Sequence, residues 1–299
     1  MNPTESIINL ALQEDIGSGD ITSNAIVPKN LMANGFIRAK EPIVVAGTRI
    51  ALAVFKRVDS KIEIKIKTED GKKAKRGTLL IELYGPARSI LTAERTALNF
   101  LQRLSGIATL TRRFVDKVSP RQTTGGQAKR RLPSGRVRHL VKILDTRKTT
   151  PGLRLLEKYA VKMGGGTNHR IGLYDMFLIK NNHIDIASSI NDAVLLARRS
   201  RKKKIEVEVR NFKELAEAMI SGADIVMFDN FSPKMIKSGL KLVKKLSKIT
   251  KKRPKIEISG GISLKTIKKY AKLGVDYISI GALTHSARAA DINLTIKPF

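Results

Sequence analysis

The sequence predicts an α/β protein, a parallel α/β barrel preceded by a smaller unit of helices and short strands. Two observations carry the barrel. From Val141 onward short apolar runs recur between amphipathic segments, the order of strands and crossover helices in a parallel sheet. Several runs pass directly into polar residues, Ile143-Leu144 into Asp145 and Met176 to Ile179 into Lys180, and ligands bind at the carboxyl ends of such strands. A third observation marks the smaller unit. Between Ala33 and Ile81 the chain alternates or runs apolar between Gly, Pro and Asp punctuation.

The 299 residues suit two domains or one barrel with an appendage. With no cysteine, disulfides and thiolate zinc sites are excluded. Met1-Asn2-Pro3-Thr4-Glu5 lacks a basic segment followed by an apolar run, and no stretch approaches the roughly 18 apolar residues of a membrane span. The expectation is a soluble cytoplasmic protein. A net charge of +31 attracts anions, and nucleic acid is the first partner it suggests. Against that, aromatics are only 5%, no nucleic-acid motif is present, and Lys237, Lys241, Lys244 and Lys245 stand at the spacing of a solvated helix face. Nucleic acid is therefore expected only as a nonspecific electrostatic partner.

In chain order, a helix is expected over residues 5–15, with Leu10 and Leu12 on its apolar side, ending at Gly17-Ser18-Gly19-Asp20. Strands are expected at 36–40, 43–47, 62–66 and 78–83, with a helix over 48–57. A long helix over 89–117 has a broad apolar face containing Ile90, Leu98, Leu101, Leu104 and Ile107. Glu94, Arg95, Asn99 and Arg103 form its polar stripe, and Arg95 by itself reads as an exposed helix charge. Residues 119–139 have Gly, Pro and basic residues without hydrophobic period and read as a mobile basic loop, a tolerated insertion more than a lid.

The barrel strands are read at 141–144, 176–179, 205–209, 225–228, 256–258 and 277–280, six in all. Three cationic clusters, Arg147 with Lys148, His169 with Arg170, and Lys180 with His183, follow apolar runs or a glycine-rich turn and point to a cleft. In Ile205-Glu206-Val207-Glu208-Val209 a period of two places both glutamates on one side. If the apolar side packs on helices, Glu206 and Glu208 face the barrel interior and need partners such as Lys180 or Arg147. Glu208, nearer the carboxyl end, is the better ligand contact, and Asp229 joins it. Ser259-Gly260-Gly261 and Gly281-Ala282 end the last two strands, where glycine lets backbone N–H groups approach a phosphate, although turns also use glycine for steric reasons. Cations, two acids and a phosphate-type glycine pair on one face suit a phosphorylated sugar.

These residues stand in motifs. Asp145-Thr146-Arg147-Lys148-Thr149-Thr150-Pro151-Gly152-Leu153-Arg154, Gly164-Gly165-Gly166-Thr167-Asn168-His169-Arg170, Ile179-Lys180-Asn181-Asn182-His183, Glu206-Val207-Glu208-Val209, Asp229-Asn230, Ser259-Gly260-Gly261 and the run from Val275 to Ser286 closely resemble quinolinate phosphoribosyltransferases. Glu14-Asp15, Gly19 to Thr22 and Glu94 to Asn99 extend the resemblance over nearly the whole chain.

The resemblance implies a type II phosphoribosyltransferase. Its fold would be an incomplete, seven-stranded α/β barrel at 117–287, an amino-terminal α/β sandwich with linking helix at 1–116, and a segment 288–299 returning to the sandwich. It implies conversion of quinolinate and phosphoribosyl pyrophosphate, with Mg²⁺, into nicotinate mononucleotide, CO2 and pyrophosphate in NAD biosynthesis. A homodimer or higher even oligomer would contribute Arg95 across its interface, which overturns the bland reading of that residue. By the family pattern Arg147, Arg170 and Arg95 would hold quinolinate, with Lys148 and His169 as supporting donors, and Thr146 would be a further substrate-binding residue. Lys180, Glu208 and Asp229 would hold the phosphoribosyl part, and Ser259, Gly260, Gly261, Ile280, Gly281 and Ala282 its phosphate. Lys148, Lys180, Glu208 and Asp229 are the expected catalytic residues, with Glu208 and Asp229 nearest Mg²⁺ through water. Asn181 stands where the family usually has Asp, and the stretch 119–139 looks longer than the usual link. The competing readings are a relative acting on nicotinate, a paralogue associated with molybdenum transport, and a basic nucleic-acid binder working through 119–139 and 198–204.

Overall fold

A computed structural model describes residues 3–119 and 141–299; the expected basic loop, apart from Ser119, lies outside the described residues. Two compact units emerge. The first gathers Met1–Arg112, Lys148–Gly166 and Ala282–Phe299, the second Arg113–Arg147 and Thr167–Gly281. The sequence reading put its boundaries at 116 and 287, and it did not separate Lys148–Gly166 from the barrel.

The strands are β1 (Met32–Ala39), β2 (Ile43–Val44), β3 (Glu63–Ile66), β4 (Lys73–Ala74), β5 (Leu79–Pro86), β6 (Lys142–Leu144), β7 (Phe177–Ile179), β8 (Ile205–Val209), β9 (Ile225–Asp229), β10 (Lys255–Ser259), β11 (Tyr277–Ser279) and β12 (Ile292–Pro298). In the first unit β12, β1, β5 and β3 form an antiparallel sheet in that order, and β2 pairs with β4. Burial along β1 alternates strictly, so one face, with Ala33, Ile37 and Ala39, packs on the core. The carboxyl-terminal strand runs beside β1 from Ala39 opposite Ile292 to Ala33 opposite Pro298.

The first helix, Pro3–Ile16, buries Ile8 and Leu12, whereas Leu10 is 65% exposed, so Leu10 does not belong to the apolar side expected of it. The strand expected at 43–47 stops after Val44. Gly47 turns the chain at φ +100, and both Asp70 carboxylate oxygens accept from the Gly47 and Thr48 N–H groups, which starts the helix Thr48–Val58. Tyr159 donates to the same carboxylate at 2.7 Å, tying the segment Lys148–Gly166 into this unit. The long helix Ala87–Val118 buries Ile90, Ala97, Leu98, Leu101, Leu104 and Ile107. At Gly106 a Cβ would lie 2.0 Å from the Arg288 carbonyl oxygen, so only glycine lets the carboxyl-terminal segment approach.

The second unit is a parallel sheet in the order β6-β11-β10-β9-β8-β7. All six barrel strands fall where the sequence placed them. Thr167 fills the seventh place with one parallel bridge to Leu144. β8 is buried over its whole length and carries Glu206 and Glu208 inward. Among the described residues no helix is long and apolar enough to cross a membrane.

Candidate active site

Parallel strands bring their carboxyl ends to one edge, so the polar residues following β6 to β11 collect there. Register fixes the faces. Met227 lies beside Glu208 on one side and Glu257 on the other, and Asp229 lies beside Ser259. With a period of two, Glu206, Glu208, Asp229, Glu257 and Ser259 therefore share the inner face.

At the edge, Lys180 ends β7 and Glu208 nearly ends β8, and Lys180 Nζ lies 3.0 Å from Glu208 Oε2. The pair is uneven, the Lys180 side chain being 49% exposed and that of Glu208 only 11%. Lys180 also precedes the helix Asn181–Ala187, and its backbone N–H donates to His183 Nδ1 at 3.0 Å. His183 is thereby part of a helix cap, its ring turned back onto its own helix. Asp229 is half-buried and accepts from the Asn230 side-chain amide at 3.1 Å. Carboxylate oxygens are the donors Mg²⁺ takes alongside water and phosphate, so Glu208 and Asp229, at the carboxyl ends of β8 and β9, fit that ion by chemistry.

Gly260 and Gly261 both have positive φ, +95 and +61. A Cβ on Gly260 would meet Asn230 Oδ1 at 2.0 Å, whereas nothing lies within 4 Å of one on Gly261. Gly260 thus has a steric reason of its own, and Gly261 leaves open space at the strand end. Ile280 is buried and its N–H donates to the Leu144 carbonyl, which fixes the start of Gly281.

Deeper in the sheet, His169 joins two glutamates. Its Nε2 is 2.9 Å from Glu206 Oε2 and 3.6 Å from Glu257 Oε1, and neither glutamate side chain is exposed. Ser279 donates a short hydrogen bond to Glu257. The Arg170 backbone N–H donates to His169 Nδ1 at 2.8 Å, so that nitrogen is unprotonated and Nε2 carries the ring proton. The cluster has the composition of a metal site, but in this ring orientation it is set to hold a proton between imidazole and carboxylates. Burial first, then mutual repulsion, raises the pKa of Glu257; burial likewise raises that of Glu206.

Asp145 places this turn by accepting the His169 N–H at 2.9 Å. Arg170 donates to the Met176 carbonyl and lines an open cleft with Asn168, Asp175, Met176 and the lysines at 202–204. Burial, then the neighbouring charge of Arg147, lowers the Arg170 pKa, so the two guanidinium groups stand close. Thr146 and Arg147 are half-buried after β6.

Arg95, Lys148 and Ala282 belong to the first unit. Arg95 is exposed on the long helix, the Lys148 carbonyl accepts from the Thr284 hydroxyl at 2.8 Å, and Ala282 opens the short helix Ala282–His285. The sequence reading passed over Glu257 as a partner of Glu206, although Ile256-Glu257-Ile258 carried the same alternation that singled out β8. It also left Arg103 in a polar stripe. Arg103 Nη2 lies 2.7 Å from Glu157 Oε1 and also donates to the Thr150 hydroxyl, while Nη1 donates to the Ala287 carbonyl.

Two family models match the chain: the amino-terminal domain of quinolinate phosphoribosyl transferase over residues 20–105 and its carboxyl-terminal domain over 107–295. A probable nicotinate-nucleotide pyrophosphorylase (carboxylating) of Methanocaldococcus jannaschii is 44% identical over 97% of this chain and 96% of its own. One from Bacillus subtilis is 40% identical over 98% and 93%. The solved nicotinate-nucleotide pyrophosphorylase of Francisella tularensis superimposes with a TM-score of 0.87 at 39% identity, covering 99% of this chain and 96% of that one. Human nicotinic acid phosphoribosyltransferase, at 11% identity and a TM-score of 0.67, shares the fold alone.

Proposed function

The chain belongs to the quinolinate phosphoribosyltransferase family, and from that premise we propose that it joins quinolinate to phosphoribosyl pyrophosphate and releases CO2 and pyrophosphate, giving nicotinate mononucleotide for NAD biosynthesis. The observation that carries this reading is the Lys180–Glu208 pair at the carboxyl edge of the sheet, with Asp229 ending the neighbouring strand. An ammonium there faces a departing pyrophosphate, and carboxylates face the positive charge that develops on the sugar.

The pyridine nitrogen attacks the anomeric carbon, forming the N–C bond as the C–O bond to pyrophosphate breaks and the electron pair leaves with that oxygen. Lys180 stabilises the leaving group, and Glu208 and Asp229 hold ribose hydroxyls and stabilise the ribosyl cation. Glu208 and Asp229 would hold Mg²⁺, which when bound would supply neutralisation of pyrophosphate charge. The ring nitrogen, now quaternary, accepts the electrons released when the adjacent carboxylate departs as CO2, and a solvent proton replaces it. Arg147 and Arg170 suit the two substrate carboxylates because planar guanidinium groups bind carboxylates bidentately. Thr146, Lys148 and His169 are assigned to the same substrate, and Ser259, Gly260, Gly261, Ile280, Gly281 and Ala282 to the 5′-phosphate. The assembly is read as a homodimer or higher even oligomer lending Arg95 across its interface, in the cytoplasm.

The test measures pyrophosphate and CO2 release from quinolinate and phosphoribosyl pyrophosphate with Mg²⁺, beside nicotinate as acceptor. Equal release of both products, from quinolinate only, supports the reading. Turnover of nicotinate alone overturns it, and so does no turnover by the folded protein.

A further inference from the structure

At the amino-terminal end of the parallel sheet, away from Lys180, Glu208 and Asp229, two basic runs distant in sequence come together. Residues 198–204, Arg-Arg-Ser-Arg-Lys-Lys-Lys, lead into β8, and residues 251–255, Lys-Lys-Arg-Pro-Lys, lead into β10, with β9 between these strands. Asp224, just before β9, receives one cation from each side. Arg198 Nη2 and Lys252 Nζ each lie 2.8 Å from its carboxylate. Asp276, just before β11, takes Arg253 at 2.9 Å and Lys255 at 3.0 Å. Burial alone would raise both aspartate pKa values, but these donors and the backbone N–H groups of Ile205 and Ile256 bring them below the ordinary range. The two acids therefore fix the shape of the face without neutralising it, because the cations of both runs are all exposed.

This is not the pattern of lysines solvated along a helix. Arg198 and Arg199 close the helix Ile190–Ser200, and the other cations lie on the segments that enter β8 and β10, all at one end of one sheet. The origins of β8 and β10 are two strand spacings apart, about 10 Å, comparable with the ~12 Å width of a major groove bordered by phosphates. An anionic bilayer would call for apolar side chains inserted among the cations. The two runs contain none that is exposed, since Pro254 is buried.

We propose that this amino-terminal end of the sheet is a docking surface for the phosphate backbone of duplex nucleic acid, away from Lys180, Glu208 and Asp229 and bordering, through Lys202, Lys203 and Lys204, the cleft that Arg170 lines. Binding there is independent of base sequence and driven by counterion release.

The test is fluorescence anisotropy of the full chain with a labelled DNA duplex of about two helical turns, titrated from about 50 to 200 mM salt. The triple variant Arg199→Glu, Arg201→Glu, Lys251→Glu changes the face while leaving Asp224, Asp276 and the lysines beside Arg170 intact. The control, Lys234→Glu, Lys237→Glu, Lys241→Glu, makes the same charge change on the helix Pro233–Thr250. Unchanged thermal unfolding certifies both. The face variant is expected to bind at least about tenfold more weakly, with a log–log salt slope smaller by about 3, and the control to change little. Equal weakening by both variants would reduce the effect to overall charge and overturn the proposal. Absence of duplex binding would do so too, as would tighter binding to phosphatidylserine vesicles than to the duplex.

Discussion

Glu206 and Glu257 stand side by side in the interior of the parallel sheet, both side chains without exposure, with His169 Nε2 2.9 Å from one and 3.6 Å from the other. Two anions cannot share such a place, so a proton must stay with the pair. Both carboxyls are raised, to about 8, by burial. A carboxyl whose folded pKa lies above its unfolded value contributes stability that is present below the ordinary carboxylate range and is lost as pH rises toward the folded value. The melting temperature is expected to fall between about pH 5 and 8. In Glu257→Gln, whose amide cannot ionise, that fall should flatten. A pH series of thermal melts on both proteins checks it, and parallel curves would rule the pair out as its source.

Lys180→Met tests the carboxyl edge. The lysine is half exposed, so its pairing with Glu208 contributes at most about 1 kcal/mol to stability. Turnover should suffer far more, with kcat lower by about a hundredfold or more through lost stabilisation of the leaving pyrophosphate. Steady-state kinetics beside a urea titration separates the two effects. Near-normal kcat would remove Lys180 from the chemistry, and a large loss of stability would make it a structural residue.

The two adjacent glycines after β10 should respond differently. Gly260→Ala drives a methyl group into Asn230 at a left-handed φ and is expected to destabilise by about 2–4 kcal/mol. Gly261→Ala meets open space and carries only the conformational penalty, about 1 kcal/mol. Any defect in phosphoribosyl pyrophosphate binding by the stable Gly261→Ala protein then reports on the strand end itself. Equal destabilisation of the two by chemical denaturation would contradict the geometry.

The barrel strands were legible because apolar runs ending in polar residues have few other readings, and the period of two in β8 was enough to turn both glutamates inward. What a glutamate then meets depends on register between strands, which no local pattern encodes. Glu206 was therefore assigned Lys180 or Arg147 as a possible partner, whereas its partners are His169 and Glu257, the latter two strands away. His183 looked like a cleft cation because sequence gives position and not direction, and its ring turns back to cap its own helix. Likewise, Lys148–Gly166 reads as barrel by its neighbours in sequence, while Tyr159, bonded to Asp70, places it in the first unit.

Arg103 and Glu157 form an ion pair within the first unit. The Glu157 side chain is wholly buried and accepts from Arg103 Nε and Nη2, from the Thr150 hydroxyl and from the Thr150 N–H. Removing the guanidinium leaves a buried carboxylate with neutral donors alone, so Arg103→Met is expected to cost about 3–5 kcal/mol. Removing both charges in Arg103→Met, Glu157→Met should cost less than the single change, because the uncompensated charge is gone. Arg103→Lys should recover only part of the loss, since one ammonium cannot reach Glu157, Thr150 and the Ala287 carbonyl together. Urea unfolding of the wild type, Arg103→Met, Glu157→Met and the double variant closes the cycle, with Arg103→Lys measured beside them. If the double variant lost the plain sum of the two single losses, Arg103 would not be compensating a buried charge, and its role would reduce to packing on the long helix.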